Sequence, residues 1–196
     1  MTALNRILGS RRGAVLHLRI EGRAIAPQCP HLKDYVARAF ADGVAQLRLD
    51  LSECTYGDST FVGTLLQLRK QSASRHAEPL PIIANAEFQS ILRNMGLLRL
   101  FVVNDAAAAR PEMPSATSTD DAADVTTPDE WEELAIEAAG PCSPEMIDNV
   151  IEAHSELMLA SDTCQQRYGA IVQQARDEQA RRQQAGVGDC PPDAGS

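Results

Sequence analysis

The alternation of short strand patterns with helical patterns over residues 14–103 is the feature that most constrains the fold. Residues 14–20 (AVLHLRI) and 45–51 (AQLRLDL) alternate apolar and polar side chains, which is typical of half-buried strands. An amphipathic stripe separates them, and further helical and short apolar stretches follow. Successive strand–helix units pack into layers, so this half of the chain is predicted to be an α/β domain with a small mixed β-sheet packed with helices.

Local signals place the boundaries of these elements. Gly22 is expected to end the first strand, and Gly43 and Gly96 to end two of the helices. Asn85 can cap the helix that follows the strand pattern LPIIA. Residues 3–8 are expected to add an edge strand.

The composition changes near residue 105 and divides the chain. The stretch that follows is rich in Ala, Ser, Thr, Asp and Pro and too poor in large aliphatic residues to order itself. The patterns after it are purely helical, and the end of the chain looks disordered. The predicted organisation is a domain over 1–104, a flexible linker over 105–127, an all-α region over 128–185 and a disordered tail over 186–196.

The C-terminal region is expected to hold three helices, over residues 128–139, 144–160 and 162–185. A capping box with proline opens the first, and Ser143-Pro144 opens the second. Their apolar faces can close on one another, dock on the first domain or pair with a second copy, and the sequence does not distinguish these three arrangements. His154 falls on an apolar face and is interpreted as an interface histidine.

Charge and composition exclude several classes of protein. The chain carries 27 acidic and 18 basic residues, a formal charge of -9, which disfavours nucleic acids and anionic bilayers as partners. No stretch reaches the roughly 20 apolar residues of a membrane span, and no secretory signal is visible. We therefore expect a cytoplasmic protein without membrane insertion. The 5 cysteines are scattered and the histidines do not cluster, so no metal site or cofactor is predicted.

The run Leu47–Lys70 (LRLDLSECTYGDSTFVGTLLQLRK) contains the candidate functional site. A strand ends, a turn follows, and Asp58 caps a helix at whose first turn Ser59 lies. The Ser59 hydroxyl is expected to be exposed to a docking partner. A phosphate there would suit the backbone amides but would add about two negative charges beside Asp58. Phe61 can belong to the interface or to the core, and the core is the preferred interpretation.

This run resembles the signature of the anti-sigma factor antagonists of the STAS family. In that family a strand ending in Asp-Leu-Ser leads to Asp-Ser-Ser-Gly-Leu-Gly at the start of a helix. Residues 50–52 match the strand end, Asp58 and Ser59 match the first two motif positions, Thr60 replaces the second serine and Gly63 matches the last glycine.

The resemblance covers roughly residues 10–104 and implies a function. The antagonist binds an anti-sigma factor that is also a serine kinase of the histidine-kinase-like ATPase type, and phosphorylation of the matching serine dissociates the complex. It therefore implies Ser59 as phosphoacceptor, with Asp58 and Thr60 as flanking contacts, and Phe61 is added as a candidate partner-binding residue because it lies near the exposed end of the helix. The sequence departs from the family at Phe61, where the family has glycine, and at Val62, where it has leucine.

Two other functions remain open at this point. The chain can be a non-phosphorylated STAS scaffold that forms a homo-oligomer through its C-terminal helices. It can also be a STAS subunit of a lipid or small-molecule transport system. An enzyme is not expected, because no convergent set of catalytic residues is visible.

Overall fold

The computed structural model describes residues 5–74, 80–105, 131–135, 139–140 and 143–185. These ranges contain strands and helices in the chain order β1 (Arg6–Arg12), β2 (Val15–Ala24), α1 (Cys29–Ala41), β3 (Gln46–Leu51), β4 (Cys54–Gly57), α2 (Ser59–Ala73), β5 (Pro81–Ala84), α3 (Ala86–Asn94), β6 (Val102–Asp105), β7 (Glu132–Glu133), α4 (Pro144–Ala160) and α5 (Asp162–Ala185). The predicted linker, apart from Asp105, and the predicted tail lie outside them.

The strands form one mixed sheet in the order β6-β5-β3-β2-β1-β7, and β4 pairs with β2 beside this path. Strands β1 and β2 are antiparallel, whereas β2, β3, β5 and β6 are parallel neighbours. Parallel neighbours need a crossover connection, and α1, α2 and α3 supply the three crossovers. The predicted α/β class with a small mixed sheet is confirmed.

The turn residues behave mostly as predicted. Gly43 and Gly96 follow α1 and α3 with φ of 89° and 71°, a conformation that glycine adopts readily. Gly22 does not end β2, which runs on to Ala24. Its φ of 78° lies where the β2–β4 pairing shifts register, so this glycine marks an irregularity inside the strand.

The prediction of a helix over residues 128–139 is wrong for the described residues of that range. Glu132 and Glu133 form β7 and pair antiparallel with Gly9 and Leu8 of β1. The Trp131 ring lies 4.4 Å from the Arg19 guanidinium carbon. An open sheet edge offers unpaired backbone groups, and pairing with that edge outweighs the helical signal of the acidic segment.

The core is mainly aliphatic, as the 4% content of aromatic residues predicts. It is built on the alternating inward residues of β2 and β3, and its fully buried members include Leu16, Leu18, Leu47, Leu49 and Leu51. The cysteines described are free and buried. Burial raises the pKa of Cys29 to about 12 and that of Cys54 to about 11, so both thiols stay protonated at neutral pH.

Candidate partner-docking site

The N-terminus of α2 is fixed by Asp58, whose two carboxylate oxygens each accept a backbone hydrogen bond. Oδ1 accepts from the amide of Phe61 at 2.8 Å, which is the predicted helix cap. Oδ2 accepts from the amide of Ala26 at 2.7 Å. The Asp58 amide in turn donates to the carbonyl of Ala24 at 3.1 Å. One carboxylate thus ties the start of α2 to the end of β2.

Ser59 is the first residue of α2, and its hydroxyl is held by a histidine from the C-terminal region. Ser59 Oγ lies 2.9 Å from His154 Nε2, and His154 Nδ1 lies 2.8 Å from the carbonyl oxygen of Val150. A carbonyl only accepts, so Nδ1 carries the proton and Nε2 accepts from the hydroxyl. The expectation of an openly exposed hydroxyl is wrong here, because Ser59 is half-buried and engaged within the chain.

Thr60 and Phe61 point into the domain. Thr60 is 5% exposed and Phe61 is 2% exposed. The rings of Phe61 and Phe88 meet edge to face, with centroids 6.2 Å apart and planes at 79°. The core interpretation of Phe61 is confirmed, and neither side chain is available to a partner in this conformation. Phe61 therefore does not project onto the outward face of α2, although it stands where the resembling family has glycine.

Helix α4 crosses α2 in very close contact at Gly63. A Cβ atom built on Gly63 would lie only 2.3 Å from the carbonyl oxygen of Ala153, whose own side chain is fully buried. Real side chains do not come this close, so the crossing requires glycine at this position. The glycine of the sequence motif is therefore a helix-contact residue in this chain.

Further contacts fix the hairpin of α4 and α5, called here the C-terminal hairpin, to the domain. Glu152 pairs with Lys33 of α1, and Glu156 pairs with Lys70 of α2. The His154 ring packs against Tyr168 of α5 with centroids 5.1 Å apart. The sequence interpretation of His154 as an interface histidine is confirmed, and its neighbour across the interface is Ser59.

The predicted site residues therefore divide into two groups. Asp58 and Ser59 lie together at the end of α2, whereas Thr60 and Phe61 belong to the buried layer beneath. The sequence did not reveal that His154 and Ala153 complete the site. In the sequence, these two residues stood out only as a small and a polar side chain on an otherwise apolar helix face. Local patterns do not reveal their role, because the pairing of α4 with α2 is a tertiary contact.

Within residues 5–74, 80–105 and 143–185, no cluster of His, Cys, Asp and Glu has the arrangement of a metal site. None of the described helices combines the length and apolar character that a membrane crossing requires.

Comparison with protein-family models matches residues 8–103 to the family described as "Mlab, STAS domain". The matched range begins in β1 and ends in β6, so it contains the whole of α2 and stops before the C-terminal hairpin. No curated protein sequence matches the chain.

Proposed function

The chain belongs to the STAS-domain family, and from that premise we propose that it is a signalling module that docks a partner through the N-terminal face of α2. The partner proposed is an anti-sigma factor that is also a serine kinase of the histidine-kinase-like ATPase type. Phosphorylation of Ser59 switches the complex off. The module performs no catalysis itself and works in the cytoplasm.

The observation that carries the proposal is the placement of Ser59 at the first position of a helix capped by Asp58. A phosphate at this position would lie at the positive end of the helix dipole, which favours negative charge. The same phosphate would bring about two negative charges next to the Asp58 carboxylate and onto an acidic protein. A surface that accepts the neutral hydroxyl would then repel an acidic partner.

A second candidate function is a STAS subunit of a lipid or small-molecule transport system, which uses the same face of α2 without phosphate. One observation favours it: the Ser59 hydroxyl is already engaged by His154, so it is not free to accept a phosphate in this conformation. Oligomerisation through the C-terminal helices is less favoured, because Ala153 and Leu157 of α4 are fully buried within the chain.

Affinity capture from a lysate of the source organism tests the proposal. We expect the wild type and Ser59→Ala to retain a histidine-kinase-like ATPase, because both keep a neutral side chain. Ser59→Asp should retain about tenfold less, since it introduces a charge beside Asp58. Incubation with that ATPase and ATP should add one phosphate to the wild type and none to Ser59→Ala, as read by intact mass.

The capture distinguishes the two candidates. Equal retention of the ATPase by the wild type and Ser59→Asp, with no phosphate gained, would contradict the switch. Retention of a transport ATPase by all three forms would establish the second candidate instead.

A further inference from the structure

The face of α2 that presents Ser59 is covered by a segment outside the matched family domain. That domain spans residues 8–103, whereas α4 begins at Pro144. Ser59, Gly63 and Lys70 each contact α4, through a hydrogen bond, a backbone crossing and an ion pair. The spacings of four and seven residues place the three on one stripe of the helix.

This stripe is mostly small or polar. Ser59, Gly63 and Lys70 expose little apolar surface, and Leu66 between them is its apolar member, 3% exposed, whereas the opposite side of α2 carries Phe61, Leu65 and Leu68 into the core. Strands β2 to β5 and the three crossover helices lie within the matched range, and the hairpin contributes Leu157, Cys164 and Tyr168 to a buried core cluster whose other members lie in the domain. Uncovering the stripe would therefore leave most of the domain core in place.

The contact made by α4 is also imperfect. Asn149 is 2% exposed, and its side-chain amide, which lies beside the Cys29 thiol, makes no hydrogen bond of normal geometry within the described residues. A buried polar group whose hydrogen bonds are poorly formed destabilises the arrangement that buries it. The ion pairs of Glu152 and Glu156 lie at the rim, with side chains 57% and 22% exposed, where such pairs contribute little.

We propose that the C-terminal hairpin is a displaceable intramolecular cover of the α2 stripe, and that the stripe accepts a helix of the same chemistry from a partner. Such a helix is amphipathic, presents a small residue over Gly63 and carries carboxylates toward Lys33 and Lys70. This inference rests on the proposed function for the identity of the partner surface, and it adds that the chain blocks this surface itself.

The cover and a phosphate on Ser59 oppose each other. The Ser59 hydroxyl donates to His154 Nε2, and a phosphate on that oxygen would remove the donated proton and add negative charge at the contact with α4. By linkage, whatever displaces the hairpin favours phosphorylation, and phosphorylation disfavours the docked hairpin by the same factor.

Gly63→Ala tests the cover in the full chain. The new methyl group would collide with the backbone of Ala153, while alanine strengthens α2 itself. Hydrogen exchange of α4 amides is expected to accelerate about tenfold or more, with β2 and β3 unchanged. Gly169→Ala in α5 is the matched control, because its added Cβ meets nothing within 4 Å.

A double variant, Glu152→Lys with Glu156→Lys, replaces two attractive pairs with like charges facing Lys33 and Lys70, so it weakens the docking of the hairpin and leaves the stripe intact. Glu145→Lys on the first turn of α4 is its control. A synthetic peptide of residues 143–161 is expected to bind the double variant at least about tenfold more tightly than the wild type, whose own helix occupies the site. The same peptide carrying Ala153→Leu should not bind.

These readouts need no kinase, so they can fail independently of the proposed function. Unchanged α4 exchange in both the Gly63 variant and the double variant would overturn the cover. Equal acceleration in β2 and β3 would also overturn it, because the hairpin would then be an inseparable part of the core. Equal peptide binding by the wild type and the double variant would contradict the partner-helix surface.

Discussion

Truncation of Phe61 to alanine is expected to lower the free energy of unfolding by about 3 to 5 kcal/mol. The ring is 2% exposed and stacks edge to face on Phe88, which is fully buried, so its removal leaves a cavity and ends an aromatic pair. Denaturant unfolding followed by circular dichroism measures the change.

Leu159→Ala is the control for this truncation, because Leu159 is 81% exposed on α4 and should change stability by less than about 0.5 kcal/mol. A loss below about 1 kcal/mol for Phe61→Ala would mean that the ring is a surface residue. The partner-contact role that its place near the end of the helix suggested would then be restored.

Asp58→Ala is expected to cost about 2 to 4 kcal/mol, more than the loss of an ordinary helix cap. One oxygen caps α2 through the Phe61 amide, and the other satisfies the Ala26 amide. Alanine leaves both donors without their partner. Thermal and denaturant unfolding of the variant measure the cost.

Asp58→Asn separates the two bonds. Its one amide oxygen can keep the cap, but its NH2 group would then face the Ala26 amide, so about 1 to 2 kcal/mol should be lost. A cost for Asp58→Ala no larger than that for Asp58→Asn would show that the cap on the Phe61 amide contributes nothing, and an Asp58→Asn variant as stable as the wild type would show the same of the bond to Ala26.

Local signals were sufficient for most of the domain. Alternation in the segments that became β2 and β3, and the caps at Asp58 and Asn85, specify elements through contacts a few residues apart. Strand β4 was missed because it has four residues with two exposed in the middle, too few for a period to be visible.

Long-range contacts explain the remaining errors. Residues 132 and 133 form a strand because the distant edge of β1 pairs with them, and nothing in their own sequence indicates that edge. Likewise, Ser59 was predicted to be exposed because nothing close to it in the sequence covers the first turn of its helix. Only the approach of Ala153 to Gly63, across the whole linker, brings His154 to the hydroxyl.

The resemblance in the sequence therefore identified the domain, and the structure adds a feature outside it. The serine at the matching position is engaged by a helix of the same chain, and the phenylalanine that departs from the family motif is a core residue. In the account proposed above, a switch surface and a covering helix together make partner binding a competition within one molecule.

Hydrogen exchange of the full chain, alone and with the captured ATPase, tests this competition most directly. We predict that partner binding increases protection at residues 58–66 and simultaneously decreases protection across α4, because the partner replaces the hairpin on α2. Protection gained elsewhere on the domain, with α4 unchanged, would contradict both the docking face and the cover.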